Sequence, residues 1–173
     1  MQKRKVPIFQ LLLLLFLSVG VIVFDSQAKA ATTAAVAATV TAQNISVTAT
    51  DGSVSYGTID LSSTADTTNT GVDDSQTATN NGNVTEDFNI SGQDSGDWTL
   101  AAAAGSEEYT HKFCTATCDA SPSWTALTTS YQTLASAVSF SSTQEFDLQI
   151  GSPSSTSNYT EQTVSVTVQA VAN

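Results

Sequence analysis

The chain has 173 residues, and its first thirty carry four of its five basic side chains. Without them, one lysine (Lys112) faces fifteen Asp and Glu, a net charge of about −14. Such a surface repels phosphate backbones and anionic lipid headgroups, which argues against nucleic-acid and membrane-surface binding. One histidine and two cysteines do not supply a zinc site of the usual kind.

Lys3-Arg4-Lys5 is followed by a nearly continuous apolar run from Ile8 to Phe24, then by Ala28-Lys29-Ala30. A basic start, an apolar stretch and a small-x-small motif are the parts of a helical signal peptide, with cleavage expected between Ala30 and Ala31. The rival reading is a retained signal anchor, since the apolar run is long enough to cross much of a bilayer. Asp25, Ser26 and Gln27 before the motif favour removal. The protein is therefore expected to be secreted, extracellular or at the cell surface, with no membrane attachment once the leader is gone.

Residues 31–42 are a low-complexity run of Ala, Thr and Val without charge, Gly or Pro. Alanine favours helix, whereas Thr and Val pull the segment towards extended structure. Beyond it, residues 43–173 read as one domain. Ile45, Val47 and Ala49 alternate along a strand, Asp51-Gly52 marks a turn, and Val54 and Tyr56 resume the alternation. Ile59 and Leu61 follow out of phase, which places a bulge at Gly57. Residues 62–76 read as a long polar loop, with a weak strand starting at Gln76.

Phe88 and Ile90 define the next strand; Trp98, Leu100 and Ala102 another; Tyr109, His111 and Phe113 a third. Trp124 and Leu127 lead into Tyr131, Leu134, Val138 and Phe140. Phe146, Leu148 and Ile150 form a strand that Gly151-Ser152-Pro153 should stop, and Val164, Val166, Val168 and Ala170 form the last. Eight or nine short strands at roughly ten-residue spacing, with no sustained helical period, predict an all-β fold. Its expected form is an antiparallel β-sandwich, Ig-like or jelly-roll.

Cys114 and Cys118 are separated by three residues, close enough for a turn to bring them within bridging distance. A disulfide suits an exported protein, and a loop this short contributes on the order of 2 kcal/mol. A redox or metal pair is the sharper alternative, but redox pairs favour a two-residue spacer at a helix N-terminus.

His111 shares its strand face with Tyr109 and Phe113, which makes it a packed histidine before it is a catalytic one. The chain contains neither Gly-x-Ser-x-Gly nor His-Glu-x-x-His. No enzyme is expected, and no cofactor. Asp60, Asp66, Asp73, Asp74, Glu86, Asp87, Asp94 and Asp97 crowd one third of the chain, so calcium is the one metal to consider, although their spacing matches no EF-hand. Sequons at Asn44, Asn83, Asn89 and Asn158 are about what a chain rich in Asn, Ser and Thr contains by chance. Trp98, Trp124 and Tyr131 are the aromatics to weigh as a glycan-stacking platform. Trp124 and Tyr131 are the stronger pair, against the simpler role of core anchors.

Ser53-Val-Ser-Tyr-Gly-Thr-Ile-Asp-Leu-Ser62 and Ala78-Thr-Asn-Asn-Gly-Asn-Val-Thr-Glu-Asp-Phe88 are similar to the opening strands of TasA/camelysin-like secreted proteins. The likeness covers about thirty residues. It implies a jelly-roll β-sandwich, and fibre assembly by some members that lend an N-terminal strand to the next subunit. From His111 to Ala170 the chain resembles secreted Ig-like bacterial domains, which implies a fold and a location but no activity. Together these readings point to a non-catalytic structural or adhesion protein of the cell surface or extracellular matrix. Its expected partners are further copies of itself, other surface proteins or glycans. The alternative is a carbohydrate-binding module, with calcium as a stabiliser.

Overall fold

A computed structural model describes residues 33–50 and 52–173. The leader, the Ala30–Ala31 cleavage point and Asp51 of the predicted turn lie outside the described residues. Two units are distinguished, one ending at Val40 and the other spanning Thr41–Asn173. The described part of the first, residues 33–40, contains no helix or strand and is exposed throughout.

The second unit is all-β among the described residues. Its strands are β1 (Val47–Ala49), β2 (Thr64–Asp66), β3 (Gln76–Asn80), β4 (Glu86–Ser91), β5 (Thr99–Leu100), β6 (Glu108–Cys114), β7 (Thr125–Ala126), β8 (Gln132–Val138), β9 (Thr143–Gly151) and β10 (Thr167–Ala172). The larger sheet runs β1-β3-β9-β6-β5, with β2 also beside β9 and β7 beside β6; the smaller is β10-β4-β8. Nine-residue β9 is the spine of the larger sheet. One side pairs with β6 (Phe113 opposite Leu148). The other takes β3 along its first half (Gln76 opposite Phe146) and β2 along its second (Ala65 opposite Ile150).

Alternate residues of both sheets meet in one core. Ala78, Phe88, Ile90, Phe113, Leu127, Leu134, Val138, Phe146 and Leu148 form a single buried cluster. The period-2 pattern causes this, since every second side chain of a strand faces the same way. Two sheets sharing one interior are consistent with a β-sandwich.

Three expectations need correction. The fold is not purely antiparallel, because β5 runs parallel to β6, with Thr99 opposite Glu108. The loop expected over 62–76 contains strand β2. The strand expected to start at Gln76 is there as β3, a fully paired member of the sheet whose buried positions include the polar Gln76 and Asn80. Asn80 belongs there because its Nδ2 donates to the carbonyls of Val84 and Val138, both at 2.9 Å, which removes the cost of burying an amide. Finally, Gly57 has φ +67° but is no ladder bulge, since residues 53–60 belong to no strand. The irregularity instead falls on the β4–β8 pair, where the register slips between Glu86 and Phe88. There Ala137 takes φ +55° and donates its N–H to Asp87 Oδ1 at 2.8 Å.

Candidate functional site

Residues 33–42 place Ala34, Val36, Ala38, Val40 and Ala42 at alternate positions, a pattern able to present an apolar face as a strand. Val36 and Val40 are 92% and 97% exposed. Within the second unit, the end of this run and the chain after it are fastened to the turn between β3 and β4. Asn83 Nδ2 donates to the Ala42 carbonyl at 2.8 Å, Asn44 N–H donates to Asn83 Oδ1 at 2.8 Å, and Ser46 N–H donates to Glu86 Oε1 at 2.9 Å.

Two further segments alternate like strands without belonging to one. Residues 54–59 are coil, turned at Gly57 (φ +67°), with Val54, Tyr56 and Ile59 half-buried; residues 162–166 precede β10 with Val164 and Val166 half-buried. Val54, Tyr56 and Val166 pack against the core cluster. Among the described residues, no backbone hydrogen bond joins 54–59 or 163–166 to another part of the chain. Apolar contacts, together with side-chain hydrogen bonds such as those between Gln162 and both Ser95 and Asp97, hold both segments in place, while their ladder groups go unused.

Tyr56 ties the first segment to the interior. Its hydroxyl lies 3.2 Å from His111 Nε2, and the two rings meet edge to face at 6.0 Å. Burial, then the charges of Asp66, Asp74 and Asp147, push the Tyr56 phenol above its usual range. His111 is 3% exposed, next to Tyr109 at 6.4 Å between ring centres. Burial alone lowers its pKa to about 4, so the imidazole is neutral near pH 7. Its Nδ1 has no hydrogen-bond partner. As expected from its register, His111 is packed among aromatics.

Acidic side chains in the 66–76 region act as acceptors for neighbouring hydroxyls and amides. Asp66 Oδ1 takes the Thr68 hydroxyl at 2.6 Å. Asp147 Oδ1 takes Thr67 at 2.8 Å and Ser75 at 2.6 Å, and Asp74 Oδ1 takes Gln76 Nε2 at 3.0 Å. Among the described residues, no three His, Cys, Asp or Glu side chains gather as metal ligands. Asp147 was not singled out in the sequence; an acid set between Phe146 and Leu148 in β9 was the available signal.

Cys114 and Cys118 are bridged, with Cα atoms 5.9 Å apart, at the end of β6. The loop they close borders a hollow of about 200 Å³ whose far side includes Glu145 and Asp147. Trp124 is half-buried just before β7, and Tyr131, just before β8, is 49% exposed. No ring contact joins the two. Trp98 leans on Tyr109 at 6.4 Å and donates its indole N–H to Thr156 Oγ1 at 3.0 Å, the arrangement of an anchor. Among the described residues the most exposed aromatic ring is Tyr159, which the strand pattern did not mark. Compared with family models, curated proteins and solved structures, the chain matches none of them.

Proposed function

We propose that this is an exported, non-catalytic structural or adhesion protein of the cell surface or extracellular matrix. In this reading it assembles when residues 33–42 of one copy pair with the unladdered edges of another. The observation that carries the proposal is the coincidence of three segments with strand patterns and no ladder partners: 33–42, 54–59 and 162–166. Each backbone hydrogen bond gained on pairing is worth roughly 0.5–1.5 kcal/mol, and side chains at alternate positions add apolar burial. The leader and the disulfide both suit an oxidising compartment outside the cell. The two sheets are read as a β-sandwich of jelly-roll or Ig-like kind.

Light scattering on the exported chain tests the proposal. Large species should grow with concentration, and deletion of residues 33–42 should return a folded monomer. A synthetic 33–42 peptide added to the deletion variant should bind it. Monomeric full chain at millimolar concentration would contradict the reading.

A second reading, a carbohydrate-binding module, draws on the half-exposed ring of Tyr131. It requires that polysaccharide binding weaken when Tyr131 is replaced by Ala, with Trp124→Ala as the companion variant.

A further inference from the structure

Glu86 opens β4 and points inward on the same face as Phe88 and Ile90; all three are 0% exposed. A carboxylate at the end of an apolar core requires compensation, by hydrogen bonds or by positive charge. It receives little of either. Oε1 accepts the Ser46 N–H at 2.9 Å, while Oε2 is buried without a partner. Lys112 is the only Lys or Arg among the described residues, and it stands on β6 opposite Gln149 and Ala126.

The surroundings of Glu86 are built from oxygen. A methyl group added to Gly82 would collide with Glu86 Oε1, and would lie 2.5 Å from the Asn44 carbonyl and 3.2 Å from Asn80 Oδ1. Three acceptors from three parts of the chain therefore converge on one glycine, which is buried. The orientation of Asn80 is fixed, since both Nδ2 hydrogens go to the Val84 and Val138 carbonyls. Its Oδ1 is left facing Gly82, whose N–H it accepts at 2.8 Å. The Asn44 carbonyl takes the Asn83 N–H at 3.0 Å and retains a second lone pair.

We infer that Glu86, Asn80 Oδ1 and the Asn44 carbonyl form a binding site for a hard, oxygen-seeking cation of the calcium class. A carboxylate, an amide oxygen and a backbone carbonyl are ligand types calcium accepts, in irregular geometry and with water completing the set. No nitrogen or sulfur ligand is present, so the site does not suit zinc. One carboxylate is enough here because burial strengthens its attraction for a cation. The cation links residues 44–46 to the β3–β4 turn and braces the point from which residues 33–42 depart. The inference is independent of strand exchange, since it concerns the second unit alone.

Calorimetric titration and thermal melting of the full chain, after EDTA treatment and dialysis, test it with calcium, magnesium and sodium chlorides at matched ionic strength. Calcium should bind one per chain and raise the melting temperature in a concentration-dependent way, with magnesium and sodium weaker. Glu86→Gln should abolish the calcium increment. Amide NMR on the unaltered chain locates the ion without depending on that variant, with shifts expected at Ser46 and Gly82. No calcium increment, an equal increment in Glu86→Gln, or shifts confined to residues 66–76 and 94–97 would each overturn the inference, the last two assigning calcium to surface acids.

Discussion

Replacing Phe88 by Ala is expected to destabilise the domain by about 3–5 kcal/mol. Phe88 has no exposed surface and lies on the central strand of the smaller sheet, flanked by Ala170 of β10 and Ala135 of β8. The small neighbours mean that nothing adjacent on its own sheet can expand to fill the void. Stability of a domain this size is roughly 5–15 kcal/mol, so the loss takes a large share of it. Phe140→Ala is the control: that ring is 61% exposed, and its removal should shift stability by no more than about 0.5 kcal/mol. Urea melts followed by circular dichroism measure both. Equal midpoints for the two variants would mean that Phe88 does not fill the shared interior.

Acidification is expected to weaken the fold through His111 before most carboxylates titrate. Burial lowers its folded pKa to about 4, against about 6.5 in an unfolded chain. Between those values the unfolded state holds a proton that the folded state refuses. Stability contributed by the neutral ring is therefore complete above pH 6.5 and falls as the pH drops towards 4, by up to about 3 kcal/mol. The groups facing the ring are the hydroxyl of Tyr56 and the ring of Tyr109, and neither titrates in that window. Asp87, lowered by the Ala137 N–H and then Asn173, and Glu107, lowered by the Thr156 hydroxyl and then Ser157, act in the same direction at lower pH. Their stabilisation is lost as pH falls through their folded values. Melting temperatures from pH 7.5 to 4 should decline in the native chain and be flatter in His111→Gln, which cannot charge. Parallel curves for the two would remove His111 as the cause.

Strands whose inward positions are apolar were legible in the sequence. β6, β9 and β10 stand where Tyr109–Phe113, Phe146–Ile150 and Val168–Ala170 alternate. The start of β3 at Gln76 was legible too, but its burial was not, nor was β2, because hydrogen bonds rather than apolar side chains make Thr67, Gln76 and Asn80 acceptable inside. Composition cannot reveal such bonds, since those of Thr67 and Asn80 depend in part on Asp147 and the Val138 carbonyl, supplied by distant strands, and that of Gln76 on the local fold that brings Asp74 to it. The alternation of 54–59 and 162–166 was visible, but their lack of ladder partners was not: pairing is a property of two segments and pattern a property of one. The same limit hid the parallel β5–β6 pair. Glu86 looked like one more solvated acid in a crowded region. Only the inward phase it shares with Phe88 and Ile90 distinguishes it, and burial makes that phase consequential.

The idea that the open edges receive a strand from another copy is tested most directly by hydrogen exchange at the amides of 54–59 and 163–166, followed from dilute to concentrated protein. Association through these edges predicts fast exchange in dilute solution and strong protection once large species form, with the amides of 33–42 becoming protected in step. Large species that form while both edges go on exchanging freely would contradict it.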